Sequence, residues 1–321
     1  MDSVPAMKTR RIGTLDVSVV GLGCNNFGMR IDEAQTASVV RAALDAGVNY
    51  FDSADVYGGG KSEEFLGKAL GKRRDEAIVA TKFGSAPRIP EGRKPGSADW
   101  VHEACERSLT ALGLDHIDHY QMHQPDPTTP IEETLGALDD LVKSGKVREI
   151  GCSNFTAEMI DEAARQSQTK GLVRFGSVQN YYSLLTRTAD TDGVLDACRS
   201  LNVGFVPFFP LESGLLSGKY TLGQPLPEGS RLQAWGDRAT RFINDERLAV
   251  VASLMEFASE RGHTILELAI SWLASNQQIA TIIAGATSPE QVTANARAAS
   301  WEMTADDLTT IEQIVATAKA N

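Results

Sequence analysis

Polar and apolar positions along the chain fall into two alternating textures. Short apolar stretches rich in Val and Ile end in polar residues at 18–22, 48–52, 77–81, 117–122, 147–152, 176–179, 204–207 and 280–283. Their length and β-branched content predict buried parallel strands. Between them, apolar residues recur at helical spacing over 33–46, 62–70, 99–112, 131–144, 157–168, 194–201 and 289–299. Helix-end chemistry agrees with this reading. Thr156 stands as an N-cap before the fifth helix, and Ser288, Pro289 and Gln291 supply an N-cap, an N1 proline and a box partner. Gly47 and Gly113 follow helix ends, where a left-handed residue is wanted. Strand–helix alternation repeated eight times predicts an α/β fold, a (β/α)8 TIM barrel, with residues 1–321 forming one domain.

Three segments lie outside the repeat. Residues 10–18 predict a hairpin ahead of the first barrel strand, placed to plug the barrel floor. A further helix covers 265–273, and another begins at Thr304–Asp307. Two long loops, 84–98 after strand three and 220–244 after strand seven, leave the C-terminal face, where long loops carry function. Gly21-Leu22-Gly23-Cys24-Asn25-Asn26-Phe27-Gly28 follows a strand and superficially suggests a dinucleotide fingerprint. Its spacing is not GxGxxG, and its helix waits until about residue 32, so a Rossmann half is disfavoured.

Composition narrows the partners. The chain has 31 basic and 42 acidic residues, a net charge of −11, which argues against nucleic acid or an anionic membrane as the main partner. The first eleven residues contain no signal-like apolar core, and no run of about 18 apolar residues predicts a membrane span. A cytoplasmic protein is expected. The four cysteines, Cys24, Cys105, Cys152 and Cys198, are far apart and are expected as buried free thiols. Only His123 of the five histidines sits at a strand end, and no HxH occurs, so no metal centre is expected.

The chemistry concentrates in four residues at or just past strand ends: Asp52, Tyr57, Lys82 and His123. A buried lysine is costly unless paired. Asp52 is the partner at hand, and the pair alone is equally consistent with a structural tie between two strands. Tyr57 changes the balance. A phenol titrates near 10, and a neighbouring ammonium favours its phenolate, making it a proton donor to a carbonyl oxygen. His123 is placed to hydrogen-bond the same oxygen.

FDSADVYGGGKSEEFLGKAL, IVATKFG, HYQMHQPD, IGCSNF, VQNYYSLL and GLLSGKY, in this order, resemble the aldo-keto reductase superfamily from Arg11 to about Asn295. The resemblance implies reduction of aldehydes or ketones by a nicotinamide cofactor laid across the C-terminal face. It implies Tyr57 as general acid with its pKa lowered by Lys82, Asp52 pairing with Lys82, and His123 orienting the carbonyl. Ser153, Asn154 and Gln179 match residues that bind the carboxamide, with Gly23 and Asp52 beside them. Phe208 stands where relatives carry a stacking tyrosine and keeps the ring face. Pro210, Leu211, Ser213, Gly214, Leu215 and Lys219 match the pyrophosphate loop; glycine allows close approach and Lys219 supplies charge. Gly285, Thr287, Gln291 and Asn295 match the adenosine end, where the helix N-terminus suits an anion. NADPH is the expected cofactor, with NADH possible because Gly285 and Gln291 replace the usual basic residues. Phe27, Trp100 and Trp235 are candidates for an apolar substrate wall, alongside Tyr57 and His123. The expected partner is a small-molecule carbonyl substrate, and the oligomeric state is left open. The alternative function is a non-catalytic nicotinamide-binding subunit of the channel β-subunit type.

Overall fold

The computed structural model describes residues 7–220 and 223–317. Strands β1 (Thr9–Ile12) and β2 (Leu15–Ser18) form an antiparallel hairpin. Eight parallel strands then close a barrel: β3 (Val20–Gly23), β4 (Tyr50–Asp52), β5 (Ile78–Phe83), β6 (Ile117–Met122), β7 (Val147–Ser153), β8 (Ser177–Tyr181), β9 (Gly204–Phe208) and β10 (Ile282–Gly285). Their order, β10-β3-β4-β5-β6-β7-β8-β9, follows the chain. Around them lie α1 (Glu33–Asp45), α2 (Lys61–Leu70), α3 (Ala98–Leu112), α4 (Ile131–Lys143), α5 (Ala157–Lys170), α6 (Val194–Leu201) and α10 (Pro289–Arg297). Four more helices, α7 (Arg231–Trp235), α8 (Asp245–Glu260), α9 (Ile265–Ser275) and α11 (Ala305–Thr317), sit on the last third of the chain. The eight-stranded TIM barrel predicted from the pattern is the fold observed.

The differences have local causes. The first barrel strand begins at Val20 because Ser18 still belongs to the hairpin, its N–H given to Asn49 Oδ1 and its hydroxyl to Val20 O. The last strand runs two residues later than its apolar core suggests and ends in Gly285, paired with Gly23. Helix α8 was not anticipated. Its buried residues, Val250, Val251, Leu254, Phe257 and Ala258 with Leu248 beside them, lie along one side at helical spacing. Its N-cap is Asn244, whose side chain accepts from Arg247 N. The 220–244 segment holds α7 and a 3-10 turn as well as loop.

The hairpin covers the barrel floor, as expected. Ile12, Leu15 and Val17 are buried against Tyr50, Ala80, Val206 and Ala280. The hairpin turn is held by Glu149 of β7, which accepts from Thr14 N–H and hydroxyl, both at 2.7 Å. Arg10 donates to the carbonyls of Ala274, Asn276 and Ile279, finishing α9. Alternation along the strands sorts the rest. In β5, Val79 and Phe83 join the core beneath the helices, while Ala80 joins the interior cluster. Lys82 shares the inward parity of Ala80, as His119 and Gln121 do in β6. All four cysteines are buried and free. Among the described residues, no helix is long and apolar enough to cross a membrane.

Helices α2 and α3 approach closely at Gly67, where a Cβ would lie 1.9 Å from Leu112 O. Alanine is preferred over glycine inside a helix by about 1 kcal/mol, yet here the clash dominates. Gly67→Ala is expected to lower unfolding free energy by about 2 kcal/mol, measured by urea denaturation; a neutral or stabilising result would contradict the close contact.

Candidate active site

Lys82 and Asp52 form a buried ion pair, with Nζ 2.6 Å from Oδ2 and side-chain exposures of 0% and 3%. Lys82 also donates to Ser53 O at 2.8 Å. The second Asp52 oxygen, Oδ1, accepts from Gln121 Nε2 at 3.0 Å and Gln179 Nε2 at 3.1 Å. Burial works against the Lys82 charge, but Asp52 and then Tyr57 outweigh it, and the ammonium stands above its ordinary value. Gln121 is absent from the residues singled out in the sequence. Its signal was available, since it lies two positions before His123 and so shares its strand face.

Tyr57 opens a 3-10 turn whose next three residues, Gly58, Gly59 and Gly60, all have positive φ. The turn needs glycine: a Cβ on Gly58 would lie 2.5 Å from Phe27 O. It brings the Tyr57 ring to 5.1 Å from Lys82 Nζ and 5.8 Å, edge-on, from the ring of His123. The expectation that Lys82 leaves the phenol below its usual pKa is corrected. Burial pushes Tyr57 up more than Lys82 draws it down, so the group stands above its ordinary value. The lysine acts in the expected direction, and desolvation is larger. At neutral pH the phenol is protonated. His123 is pushed down to about 3, first by burial and then by the Lys82 charge, so its imidazole is neutral. Its buried Nδ1 has no partner among the described residues.

Asp52, Tyr57 and His123 line one end of a cleft of about 640 Å³, and Lys82 lies buried behind Asp52. Ser153, Asn154, Gln179 and Phe208 line it beside them, together with Gly23. Asn154 has φ 62° and donates from Nδ2 to His123 O and Ser153 Oγ, both at 3.0 Å. Phe208 is stacked with Tyr181, centroids 5.6 Å apart. The cleft continues over Pro210, Leu211, Ser213, Gly214 and Lys219. Here Phe209, Glu212 and Ser213 have positive φ, a strained run of the kind concentrated at ligand sites. A Cβ on Gly214 would sit 2.8 Å from Lys219 Nζ, and the buried Ser213 Oγ has no partner among the described residues. Beneath the loop, fully buried Glu212 accepts from Tyr181, Ser183 and Arg247, the last at 2.6 Å. The far end is lined by Gly285, Thr287, Gln291 and Asn295. Ser288 caps α10 by accepting from Gln291 N. Gln291 Oε1 in turn accepts from Thr287 N–H at 2.8 Å and its hydroxyl at 3.1 Å, rather than from the cap residue. Asn25, Asn26 and Arg30 also line the cleft and were not anticipated.

Four of the expected site residues do not line the cleft. Leu215 is fully buried in the core outside the barrel. Phe27 is turned inward by a tight loop in which its N–H bonds Cys24 O, and its ring is buried. Trp100 is 1% exposed on the inner face of α3, with Arg107 over its ring. Trp235 packs against Phe242, centroids 4.9 Å apart. None of these aromatics lines the cleft; packing takes all three.

The profile of the Aldo/keto reductase family matches residues 19–316. The chain belongs to this family. It is 35% identical over 277 residues to a probable voltage-gated potassium channel subunit beta of Oryza sativa subsp. japonica, covering 85% of this chain and 84% of that protein. It is 32% identical over 312 residues to L-glyceraldehyde 3-phosphate reductase of Escherichia coli (strain K12), covering 92% and 88%. Among solved structures, aldo-keto reductase AKR11C1 from Bacillus halodurans, in its holo form, superposes with a TM-score of 0.77 at 31% identity, covering 96% of each chain. The aldo/keto reductases are oxidoreductases that use nicotinamide cofactors, so the cleft belongs to a family that works with such a group.

The two inward histidines give a check on the electrostatics. His119, bonded to Tyr50 Oη at 2.7 Å and Ser177 Oγ at 3.1 Å, is also pushed down to about 3, by burial and then by Lys82. An imidazole neutral in the fold, whose unfolded counterpart binds a proton below about pH 6.5, makes acidification destabilising. Unfolding free energy is expected to fall as pH drops from about 7 to about 5, with both imidazoles still neutral by side-chain ¹⁵N NMR. A folded-state titration of either near 6.5 would contradict this.

Proposed function

We propose that this protein reduces the carbonyl group of aldehydes or ketones to alcohols, with Tyr57 as proton donor and NADPH as the cofactor, NADH being the second candidate. The observation that carries the reading is the protonated phenol held between a buried ammonium and a neutral imidazole at the end of a dinucleotide-sized cleft. The residues present fit a dinucleotide. A glycine over which a side chain would collide, a buried hydroxyl at Ser213 with no partner among the described residues and the Lys219 ammonium suit a pyrophosphate. Ser153, Asn154 and Gln179 suit a carboxamide, Phe208 offers a ring face, and Gly285, Thr287, Gln291 and Asn295 suit the adenosine end.

The dinucleotide, when bound, supplies the hydride. The protein supplies the proton. His123, neutral, hydrogen-bonds the carbonyl oxygen and orients it toward Tyr57. The Tyr57 O–H passes its proton to that oxygen as negative charge develops there, completing the alcohol. The phenolate left behind is stabilised by the Lys82 ammonium, and Asp52 keeps that ammonium charged and in place. The raised phenol pKa favours a protonated donor at neutral pH, while Lys82 prevents the phenolate from becoming prohibitively costly.

A second reading, a nicotinamide-binding subunit without turnover, is favoured by the similarity to channel β subunits. The two separate in one assay. Over a panel of aldehydes and ketones, with NADPH and NADH in parallel, the reductase reading expects oxidation of the cofactor; binding with no turnover on any carbonyl supports the second. Tyr57→Phe is expected to cut kcat by about 10²–10⁴-fold while dinucleotide affinity changes by less than about threefold. Near wild-type turnover in this variant would sink the proton-donor role.

A further inference from the structure

Gln121 is fully buried on β6 and has no part in the steps above. We propose that Gln121 is a positioning residue, whose amide fixes the orientation of Gln179 so that Gln179 and Asn154 present a pair of carbonyl oxygens to the two N–H groups of a primary carboxamide. The proposal rests on the dinucleotide reading and specifies how one end of it is recognised.

The orientation follows from the carboxylate. Asp52 Oδ1 can only accept, so both amides facing it turn their nitrogens toward it, Gln121 at 3.0 Å and Gln179 at 3.1 Å. With its nitrogen so placed, Gln121 directs Oε1 at Gln179 Nε2, 3.2 Å away. Both N–H groups of Gln179 are then committed, one to Asp52 and one to Gln121. The atom left for the cleft, which Gln179 lines, is Oε1. Reversing this amide would set oxygen against carboxylate. Asn154 reaches the same state by another route. Its Nδ2 donates to His123 O and to Ser153 Oγ, and the Ser153 hydroxyl donates to Gln179 O at 2.8 Å. Oδ1 remains for the cleft. Two acceptors, one just past the end of β7 and one on the adjacent strand β8, match an NH₂ group and mismatch a methyl group in its place.

Without Gln121, the second N–H of Gln179 loses its acceptor. Held then by Asp52 alone, the amide can swing about that one hydrogen bond, and its oxygen is no longer fixed toward the cleft. Gln121 therefore acts through Gln179, and through it couples carboxamide recognition to the carboxylate that holds Lys82.

The test is binding, not turnover. The full-length protein is titrated by calorimetry with NADP⁺ and NAD⁺ and with their 3-acetylpyridine analogues, in which CH₃ replaces NH₂. Wild type is expected to prefer the carboxamide by about tenfold. Gln121→Met, close to isosteric, is expected to narrow the preference to within about twofold, and to change it no further in a Gln179→Met background. Equal weakening of both ligands by Gln121→Met, the sign of a merely structural role, overturns the proposal, as does a retained preference. Wild type alone also tests it should that variant not fold: a preference near unity overturns it. Absence of any dinucleotide binding overturns both this proposal and the reductase reading, whereas binding with the preference unaltered in Gln121→Met overturns this proposal alone.

Discussion

A lysine ammonium inside a barrel is the constraint around which this structure is arranged. An isolated charge there carries a desolvation cost of several kcal/mol, and removing one partner of such a pair typically destabilises by about 3–5 kcal/mol. The fold meets that cost with Asp52 at 2.6 Å and the Ser53 carbonyl at 2.8 Å. It meets the needs of the carboxylate with two amides. Filling the same space with apolar side chains is often neutral or stabilising, so stability alone does not explain the pair. Its consequences lie in its neighbours. The ammonium draws against the burial of Tyr57 and helps keep His123 neutral. Burial sets the protonation states that the proposed proton transfer uses, and this one charge modulates both.

The barrel makes this arrangement affordable by separating its two ends. At the floor, the hairpin seals the interior with Ile12, Leu15 and Val17. Above it, inward positions become progressively polar: His119 bonds both Tyr50 and Ser177, and one step nearer the cleft Asp52 bonds Lys82, Gln121 and Gln179. Among the described non-glycine residues with positive φ, Asn154, Phe209, Glu212 and Ser213 gather at that same end, while Asn202 caps α6. Glu212, paired with Arg247 of α8, fixes the strained loop from below. Helices outside the eightfold repeat thereby hold part of the cleft.

Much of this was legible in the residues, because strand parity and turn chemistry are local. The eight apolar stretches gave the barrel, residues 10–18 the hairpin, and the quartet Asp52, Tyr57, Lys82 and His123 does converge. What was not legible depends on packing. A lysine near a tyrosine can be read from sequence, but the larger desolvation of that tyrosine cannot. Phe27, Trp100 and Trp235 looked like loop aromatics available to a substrate, yet hydrophobic burial claims them. The Glu212–Arg247 pair joins positions 35 apart, with no pattern to announce it. Gln121 is the instructive omission, since stepping back by two from His123 would have found it.

The central claim is that the Asp52–Lys82 pair serves the chemistry of Tyr57 more than the stability of the barrel. The double variant Asp52→Asn/Lys82→Met removes both charges at once and leaves neither orphaned. Its single-turnover rate of carbonyl reduction, at saturating cofactor, tests the claim directly. The expected result is a folded protein that still binds dinucleotide, with the rate lowered by about 10²-fold or more. A folded double variant reducing carbonyls at the wild-type rate would contradict it.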